Sequence, residues 1–356
     1  MSIRKIFLTP LLAHCAFWGV FHGAIPTAST LAGGIGCSAP CPAGGSVPPL
    51  APFLGTNSEQ TADRSPLGAP ASGWLSGVSL INGCEDLPMF SCVLKFTAYR
   101  TFAAGKEWYE GDFSMELGEL SFVTGLAGAL DGASSRTTFG GFFEGAFAAT
   151  HAGDDGPTGG SRTRTLGVGA FGSIEFRQMG LGRPQLEGAF RVGALHNSWE
   201  GEGSMKEYSF RGSVPYLAIR LGSHYGWRWR EKFPVYLYGK YFWTHPTGKN
   251  FPKSEISFRA INSHRIRLGG RFSVRSPDRL VPWFDAYYER EMAATARGTG
   301  GGEEIPQLSL KGNRVGGGLG FTYRLLSALA VDLSLQGSAG GNRKSLTTCF
   351  CAGWEF

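Results

Sequence analysis

From residue 89 onwards, apolar and polar residues alternate along the chain in about twelve stretches. In one of them Val315, Leu319 and Phe321 share one parity, whereas Arg314 and Thr322 share the other. Successive side chains of a β-strand point to opposite faces, so this alternation predicts strands with one apolar and one polar face. The stretches lie near 89–103, 116–130, 136–151, 162–178, 184–199, 206–222, 232–246, 254–274, 280–296, 307–325, 327–340 and 345–356.

Turn dipeptides such as Asp131-Gly132 and Gly341-Asn342 separate the stretches, and Ser223 to Glu231 is predicted to be a longer connection. Each stretch exceeds the ~9–11 residues that a tilted strand needs to cross the hydrocarbon core of a membrane. The predicted fold class is therefore all-β: a transmembrane antiparallel β-barrel of about twelve strands, preceded by a signal peptide and a short disordered leader.

The last stretch favours a membrane barrel over a soluble β-sandwich, which would also alternate. Phe350, Trp354 and Phe356 share one face of it. Such a strand offers an apolar ladder and an unpaired edge to machinery that binds by strand addition. We therefore expect these three residues to be a membrane assembly signal, with outer-membrane lipid and the barrel-assembly machinery as partners.

Composition argues against three other classes of protein. Charged residues make up only 17% of the chain, against roughly 25% in soluble domains. After the first few dozen residues there is no run of 18 apolar residues, so a helical membrane protein is excluded. Without Arg4 and Lys5 the formal net charge falls from +6 to +4, which is too small to indicate nucleic-acid binding.

Three segments are predicted. Residues 1–32 are expected to be a signal peptide, because Arg4 and Lys5 precede the apolar stretch from Ile6 to Val20. Residues 33–85 are expected to be a Gly/Pro/Ser-rich leader or remnant passenger, without a clear amphipathic helix. Residues 86–356 are expected to form the barrel.

The polar faces of the strands predict a charged lumen. One interpretation is that these charges line a narrow hydrated pore and grip the leader; the other is that they form structural ion pairs without a role in transport. The residues expected there, besides Glu144, are Glu175, Arg177, Glu187, Arg191, Lys240, Arg265, Arg267, Arg271, Asp285, Glu289, Arg314 and Asp332.

Aromatic residues near the strand ends predict girdles at the membrane interfaces, although a carbohydrate-binding or adhesive surface is the alternative. They are Trp199, Tyr225, Trp227, Trp229, Tyr241, Trp243, Tyr288 and Trp354.

Cysteine spacing gives no metal site. Cys349 and Cys351 lie two apart on one predicted strand and point the same way, so they are not expected to bridge. A zinc site would need a second Cys or His pair at matching spacing. No metal or cofactor is expected.

A catalytic constellation is also not predicted. His196-Asn197-Ser198 comes nearest to the His and Ser pair of a barrel lipase or deacylase, but no acid accompanies it. We expect a protein that is not an enzyme.

Four segments together resemble the β-barrel translocator domain of autotransporters (type V secretion): LYGKYFWTH from Leu237, SHRIRLGGRFS from Ser263, VPWFDAYYERE from Val281 and LQGSAGGNRKSLTTCFCAGWEF from Leu335. The resemblance covers about 116–356. It implies a monomeric barrel in the cell outer membrane that serves as a translocator, here with only a short N-terminal passenger. The alternative is a stand-alone outer-membrane pore or surface-binding barrel without secretion activity.

Overall fold

The computed structural model describes residues 68–83, 96–110, 114–152, 159–176, 182–229, 233–274, 279–305, 308–326, 328–341 and 343–355. The predicted signal peptide and most of the predicted leader lie outside these residues. None of the helices in the described ranges is long and apolar enough to cross a membrane.

Twelve strands form a closed antiparallel barrel in which each strand pairs with its neighbours in the chain, and the last pairs with the first. The barrel strands are β1 (Phe96–Glu110), β2 (Ser114–Asp131), β3 (Ser135–Ala152), β4 (Gly159–Phe176), β5 (Gly182–Gly201), β6 (Phe210–Trp229), β7 (Phe233–Pro246), β10 (Ser263–Ser273), β11 (Leu280–Glu291), β16 (Gly312–Leu326), β17 (Leu329–Gly340) and β18 (Arg343–Glu355). The predicted all-β fold, an antiparallel barrel of about twelve strands, is confirmed.

The barrel has two unlike ends. At the terminal end, where β1 begins and β18 finishes, Thr97 lies opposite Glu355 and short turns join the strands. The opposite end, here called the loop end, carries a 3₁₀ turn (Gly203–Tyr208) and short extra strands. These are β8 (Lys249–Phe251), β9 (Ile256–Phe258), β12 (Thr295–Ala296), β13 (Gly298–Gly300), β14 (Glu303–Glu304) and β15 (Leu308–Ser309).

The predicted alternation appears as two distinct faces. On β16, Val315 and Leu319 are more than 60% exposed on the outside, whereas Arg314 of the opposite parity points inward. On β17, Leu333 and Leu335 are exposed, and Asp332 is buried. An outer surface of bare aliphatic side chains is unfavourable in water and favourable against hydrocarbon.

Several predicted boundaries were wrong. The first strand continues to Glu110, past its predicted end at residue 103, whereas its predicted start at residue 89 lies outside the described residues. The segment from Ser223 to Glu231 is not a long connection, because β6 continues to Trp229 and pairs with β7 up to Phe233. The predicted stretch 254–274 is divided between β9 and β10. At Ser223 to Glu231 the pairing of β6 with β7, which acts between segments of the chain, overrides the local signal for a connection.

One further element lies inside the barrel. The helix α1 (Gly68–Gly83) contacts β2 to β5, β7, β12 and β15. A leader without a clear amphipathic helix was expected here; residues 68–83 do form a helix, and its polar and apolar residues are not separated onto two faces.

Candidate functional site

The candidate site is the barrel lumen together with α1. Every described side chain of the helix, from Pro70 to Asn82, is buried. An amphipathic helix shows one polar and one apolar face because one side meets water. α1 contacts protein on all sides, so its serines and apolar residues are distributed around the whole helix. The sequence therefore shows no amphipathic pattern that would predict the helix.

Small residues allow the helix to fit between the strands. A Cβ atom at Gly73 would lie 3.0 Å from the Trp199 ring, and one at Gly77 would lie 2.7 Å from Leu195 Cδ2. Both positions therefore bring the helix backbone against the wall of β5. Trp199 is fully buried there, so its predicted place in an interfacial girdle was wrong.

The direction of α1 follows from its contacts along β5. Gly73 lies at Trp199, Gly77 at Leu195, and the carbonyl oxygen of Ile81 accepts a hydrogen bond of 3.2 Å from Arg191 Nη2. Because β5 descends from 199 to 191 away from the loop end, the N-terminus of the helix lies toward the loop end. Its C-terminus points into the barrel.

The loop end closes over the helix through an aromatic cluster. Trp74 stacks on Phe258 with ring centroids 4.9 Å apart and planes inclined by 8°. Phe210 and Phe251 meet Trp74 edge to face at 6.4 and 6.1 Å. Phe251 and Phe258 come from β8 and β9, so the extra strands cover the helix and exclude water from its N-terminal half.

Hydrogen bonds fix the polar side chains of the helix to the wall. Ser76 Oγ lies 2.9 Å from Thr163 Oγ1, and Asn197 Nδ2 donates to the carbonyl oxygen of Gly73 at 2.6 Å. Asn82 accepts from Thr244 Oγ1 at 2.9 Å. A buried polar group without a partner costs about 1–3 kcal/mol, so these contacts favour one register of the helix in the lumen.

Two buried carboxylates connect the wall to the last turns of the helix. Glu144 accepts from Arg191 Nη1 at 3.0 Å and from Tyr216 Oη at 2.5 Å. Glu107 is paired with Arg343 and accepts a hydrogen bond from Ser79. Arg191 also reaches Ile81, so each carboxylate orients an arginine that itself contacts α1.

Most of the remaining inner charges pair with one another. Glu289 contacts Arg265 and Arg267, at 3.4 and 2.5 Å, and is also paired with Arg314. Glu187 lies 3.6 Å from Arg220, 3.1 Å from His224 and 3.9 Å from Lys240. Opposite charges brought close in a poorly hydrated interior offset much of the desolvation cost of each other.

Two aspartates complete the inner network. Asp285 pairs with Arg271 at 3.1 Å and accepts from Tyr238 Oη at 2.6 Å. Asp332 accepts from Trp283 Nε1 at 3.1 Å and from Thr322 at 2.7 Å.

Of the residues expected in the lumen, Glu175 lies at the terminal end and pairs with Arg183 at 3.5 Å. Arg177 lies outside the described residues. The others have been placed above on the inner face. Between these groups and the helix lies a cavity of about 70 Å³.

Two of the three expected assembly residues lie on the outside. Phe350 and Trp354 are exposed on the outer face of β18, and Phe356 lies outside the described residues. Cys349 and Cys351 are buried on the opposite face and are not bridged to each other. Within the described ranges, no group of three His, Cys, Asp or Glu side chains is placed to hold a metal ion.

The nearest approach to a catalytic pair is not assembled. Ser198 Oγ donates to the carbonyl oxygen of Arg162, and His196 Nδ1 contacts Ser213 Oγ at 2.8 Å instead. Arg211 Nε donates to His196 Nε2 at 3.3 Å. A neutral imidazole that accepts at Nε2 carries its proton on Nδ1, and in this tautomer it cannot take the proton of Ser213.

Solved structures share this architecture. The transport unit of the autotransporter AIDA-I from Escherichia coli matches with a TM-score of 0.66 and 12% identity, over 81% of this chain and 99% of that chain. The beta domain of the Bordetella autotransporter BrkA matches with a TM-score of 0.63 and 15% identity, over 74% and 100%. The translocator domain of the autotransporter NalP from Neisseria meningitidis matches with a TM-score of 0.58 and 14% identity, over 82% and 100%.

The barrel has the fold of an autotransporter translocator domain. The resemblance noted in four segments of the sequence is thereby confirmed at the level of the fold. No protein-family model matches the chain, and no curated protein matches it significantly. These three structures are described as a transport unit, a beta domain and a translocator domain, each of an autotransporter.

Several residues of this translocator fold escaped the sequence analysis. Glu107 lies at the end of the first strand, whose boundaries were misplaced, so its face was not assigned. Arg343 is the first residue of β18 and shares the parity of Cys349 and Cys351; extending the predicted alternation by two residues, from 345 to 343, would have found it. Ser79 and Asn82 carried no signal, because their segment was expected to be a leader.

Proposed function

We propose that this protein is a translocator-type barrel of the outer membrane in which α1 belongs to an N-terminal segment that crosses the barrel and closes its lumen. The observation that carries the proposal is the burial of α1 from Pro70 to Asn82, with its N-terminus toward the loop end. The chain therefore enters α1 from the side of the loop end. The twelve residues 84–95 join the helix to β1 at the terminal end.

The loop end faces the cell exterior in this proposal. Outer-membrane barrels have short turns on the periplasmic side and longer loops outside. Here Asp131 and Ser135 delimit a short turn at the terminal end, whereas the extra strands β8, β9 and β12 to β15 all lie at the loop end. The segment preceding α1 would therefore be presented at the cell surface.

A first experiment measures conductance in planar bilayers. The complete chain is expected to be nearly sealed, because α1 fills the lumen, and deletion of residues 68–83 is expected to open a channel. Deletion of residues 45–60, which has the same length, is the matched control and leaves the barrier intact. If the complete chain conducts as readily as the variant without α1, the helix is not a plug and the alternative of an open pore is favoured.

A second experiment reports the topology. An epitope inserted after residue 45 should be removed by protease added to intact cells, while the barrel remains in the membrane fraction with heat-modifiable electrophoretic mobility. An epitope that stays protected on intact cells and becomes accessible only after lysis would contradict surface presentation.

We also infer that β18 is the strand which the barrel-assembly machinery captures, with Phe350, Trp354 and Phe356 as the recognised ladder. The exposed apolar face of β18 supports this inference. Closure of the barrel by pairing of β1 with β18 within one chain supports a monomeric barrel. Replacement of Phe350 and Trp354 by Ser should reduce the amount of assembled barrel, whereas replacement of the inner-face Thr347 by Ser should not.

We infer further that the barrel carries no catalytic centre. The tautomer that Arg211 imposes on His196 supports this inference. Hydrolysis of a lipid ester by the purified barrel that disappears in His196→Ala would contradict it.

A further inference from the structure

The outer surface of the barrel carries a basic patch on three neighbouring strands near the loop end. It consists of two rows of directly opposed residues. Arg162, Ser198 and Arg211 form the first row, and Arg164, His196 and Ser213 form the second. Directly opposed side chains on adjacent strands have Cβ atoms about 5 Å apart, so the six polar groups form one continuous surface.

The patch faces outward and not into the lumen. Arg162 and Arg164 share the parity of Leu166 and Val168, which are both 53% exposed on the outer face of β4. The inner face of the same strand segment carries Thr163, which is buried against α1. The patch is therefore separate from the charged lumen and from its helix.

Its height relative to the membrane follows from β4. From Leu166 to Phe176 the outer face of this strand carries only apolar side chains or glycine. Ten residues extend about 33 Å along a strand, and a tilt of about 40° reduces this to a height of about 25 Å. That height equals the apolar band of an outer-membrane barrel, so the two basic rows begin where the hydrocarbon ends.

The charges of the patch are not neutralised within the described part of the protein. Among the described residues, none of the three arginines forms an ion pair with a carboxylate; Arg164 lies over the Phe147 ring at 5.9 Å, and Arg211 donates to His196. Glu200 is the nearest acid along β5 and lies one row closer to the loop end, opposite Gly160. Cationic groups at this level would be costly against lipid tails and are stabilised by anionic headgroups.

We propose that this patch binds a lipid whose headgroup carries phosphate, in the leaflet at the loop end. The arginines supply planar donors that match phosphate oxygens. Ser198 and Ser213 supply neutral hydroxyls between them. Leu166, Val168 and the apolar residues below accommodate the acyl chains of the same molecule. The proposal uses the membrane placement of the barrel but not the plugging of its lumen.

The test is native mass spectrometry of the complete chain released from detergent with bisphosphorylated lipid A as the probe. Arg162→Gln, Arg164→Gln and Arg211→Gln together are expected to weaken retention by about a hundredfold, since each cationic side chain near a membrane surface contributes about fivefold. The triple replacement by Lys keeps the charge and should retain most of the binding. Arg290→Gln is the matched control, because Arg290 is also an outer-face arginine near the loop end but lies opposite Ile266 and Asn313.

Two further probes identify the ligand group. Removal of the phosphates from lipid A should weaken its binding to the native chain. The loss should be at least as large as the loss that the triple Gln variant shows with phosphorylated lipid A. Inorganic phosphate should not compete at millimolar concentration. Equal retention of lipid A by the native chain and the triple Gln variant, equal binding of the dephosphorylated lipid, or tight binding of inorganic phosphate would each overturn the proposal.

Folding and plugging are measured separately. Heat-modifiable mobility verifies that each variant is a closed barrel, and the single Arg162→Gln variant, expected to lose about fivefold, replaces the triple variant if the latter does not assemble. The conductance of the complete chain tests the plug and is unaffected by the patch. A conducting barrel that still binds the lipid would therefore contradict the proposed plug alone.

Discussion

Arg191 donates one hydrogen bond to the carbonyl oxygen of Ile81 and another to the carboxylate of Glu144, at 3.2 and 3.0 Å. It thereby couples the last turn of α1 to the wall of the barrel. The last carbonyl groups of a helix lack partners within the helix, and cationic side chains are favourable at that end. Arg191 serves both requirements at one position.

Arg191→Ala should weaken the attachment of α1 to the barrel wall. The change leaves Glu144 buried without its cation, which costs about 3–5 kcal/mol in buried pairs. We expect a lower temperature for the heat-modifiable transition and more frequent channel openings in planar bilayers.

The double variant Arg191→Met with Glu144→Gln separates the charge from the helix contact. It should recover much of the thermal stability, because no unpaired charge remains. It should not recover the seal, because Ile81 still lacks its donor. Full recovery of both properties would show that Arg191 does not hold the helix.

Gly77→Val should be destabilising, because the new side chain meets Leu195, to which a Cβ atom alone would approach within 2.7 Å. Overpacking of this kind costs about 1–3 kcal/mol. Combination with Leu195→Ala should restore much of the loss, measured by thermal unfolding in detergent. Gly118→Val is the control, since nothing lies within 4 Å of a Cβ atom there. Failure of Leu195→Ala to relieve Gly77→Val would contradict this contact.

Trp74→Ala should lower the free energy of unfolding of the barrel more than a comparable substitution on the outer face does. Trp74 is 1% exposed and stacked on Phe258, and removal of a buried Trp side chain costs about 3–5 kcal/mol. Trp354→Ala, at a position 47% exposed, is expected to change thermal unfolding in detergent little. Equal effects of the two substitutions would argue against the helix as part of the folded core.

Phe190→Arg tests the placement of the membrane band. Phe190 lies opposite Ala170, near the middle of the apolar stretch of β4. An arginine at the bilayer midplane costs about 2–4 kcal/mol, and one near the interface costs about 0–1. Leu166→Arg, next to the basic patch, should therefore be tolerated much better in lipid refolding titrations. If Leu166→Arg were the more costly substitution, the apolar band would not lie where it is placed here. Arg162 and Arg164 would then not lie at the level of the lipid headgroups.

The sequence by itself determined the barrel wall. Alternation such as that of Val315 and Leu319 against Arg314 is a local property of a strand, because neighbouring side chains point to opposite faces whatever the strand pairs with. It gave the fold class, the lipid-facing surface and the parity of the inner charges.

Only the tertiary structure decided what occupies the lumen of the barrel. α1 has no polar face because protein surrounds it, so its local pattern resembles that of an unstructured leader. The register between strands decides which arginine pairs with which carboxylate. It also decides that Arg162, Arg164 and Arg211 lie together in one patch. That register is fixed by pairing between segments distant in the chain, and periodicity within one strand does not contain it.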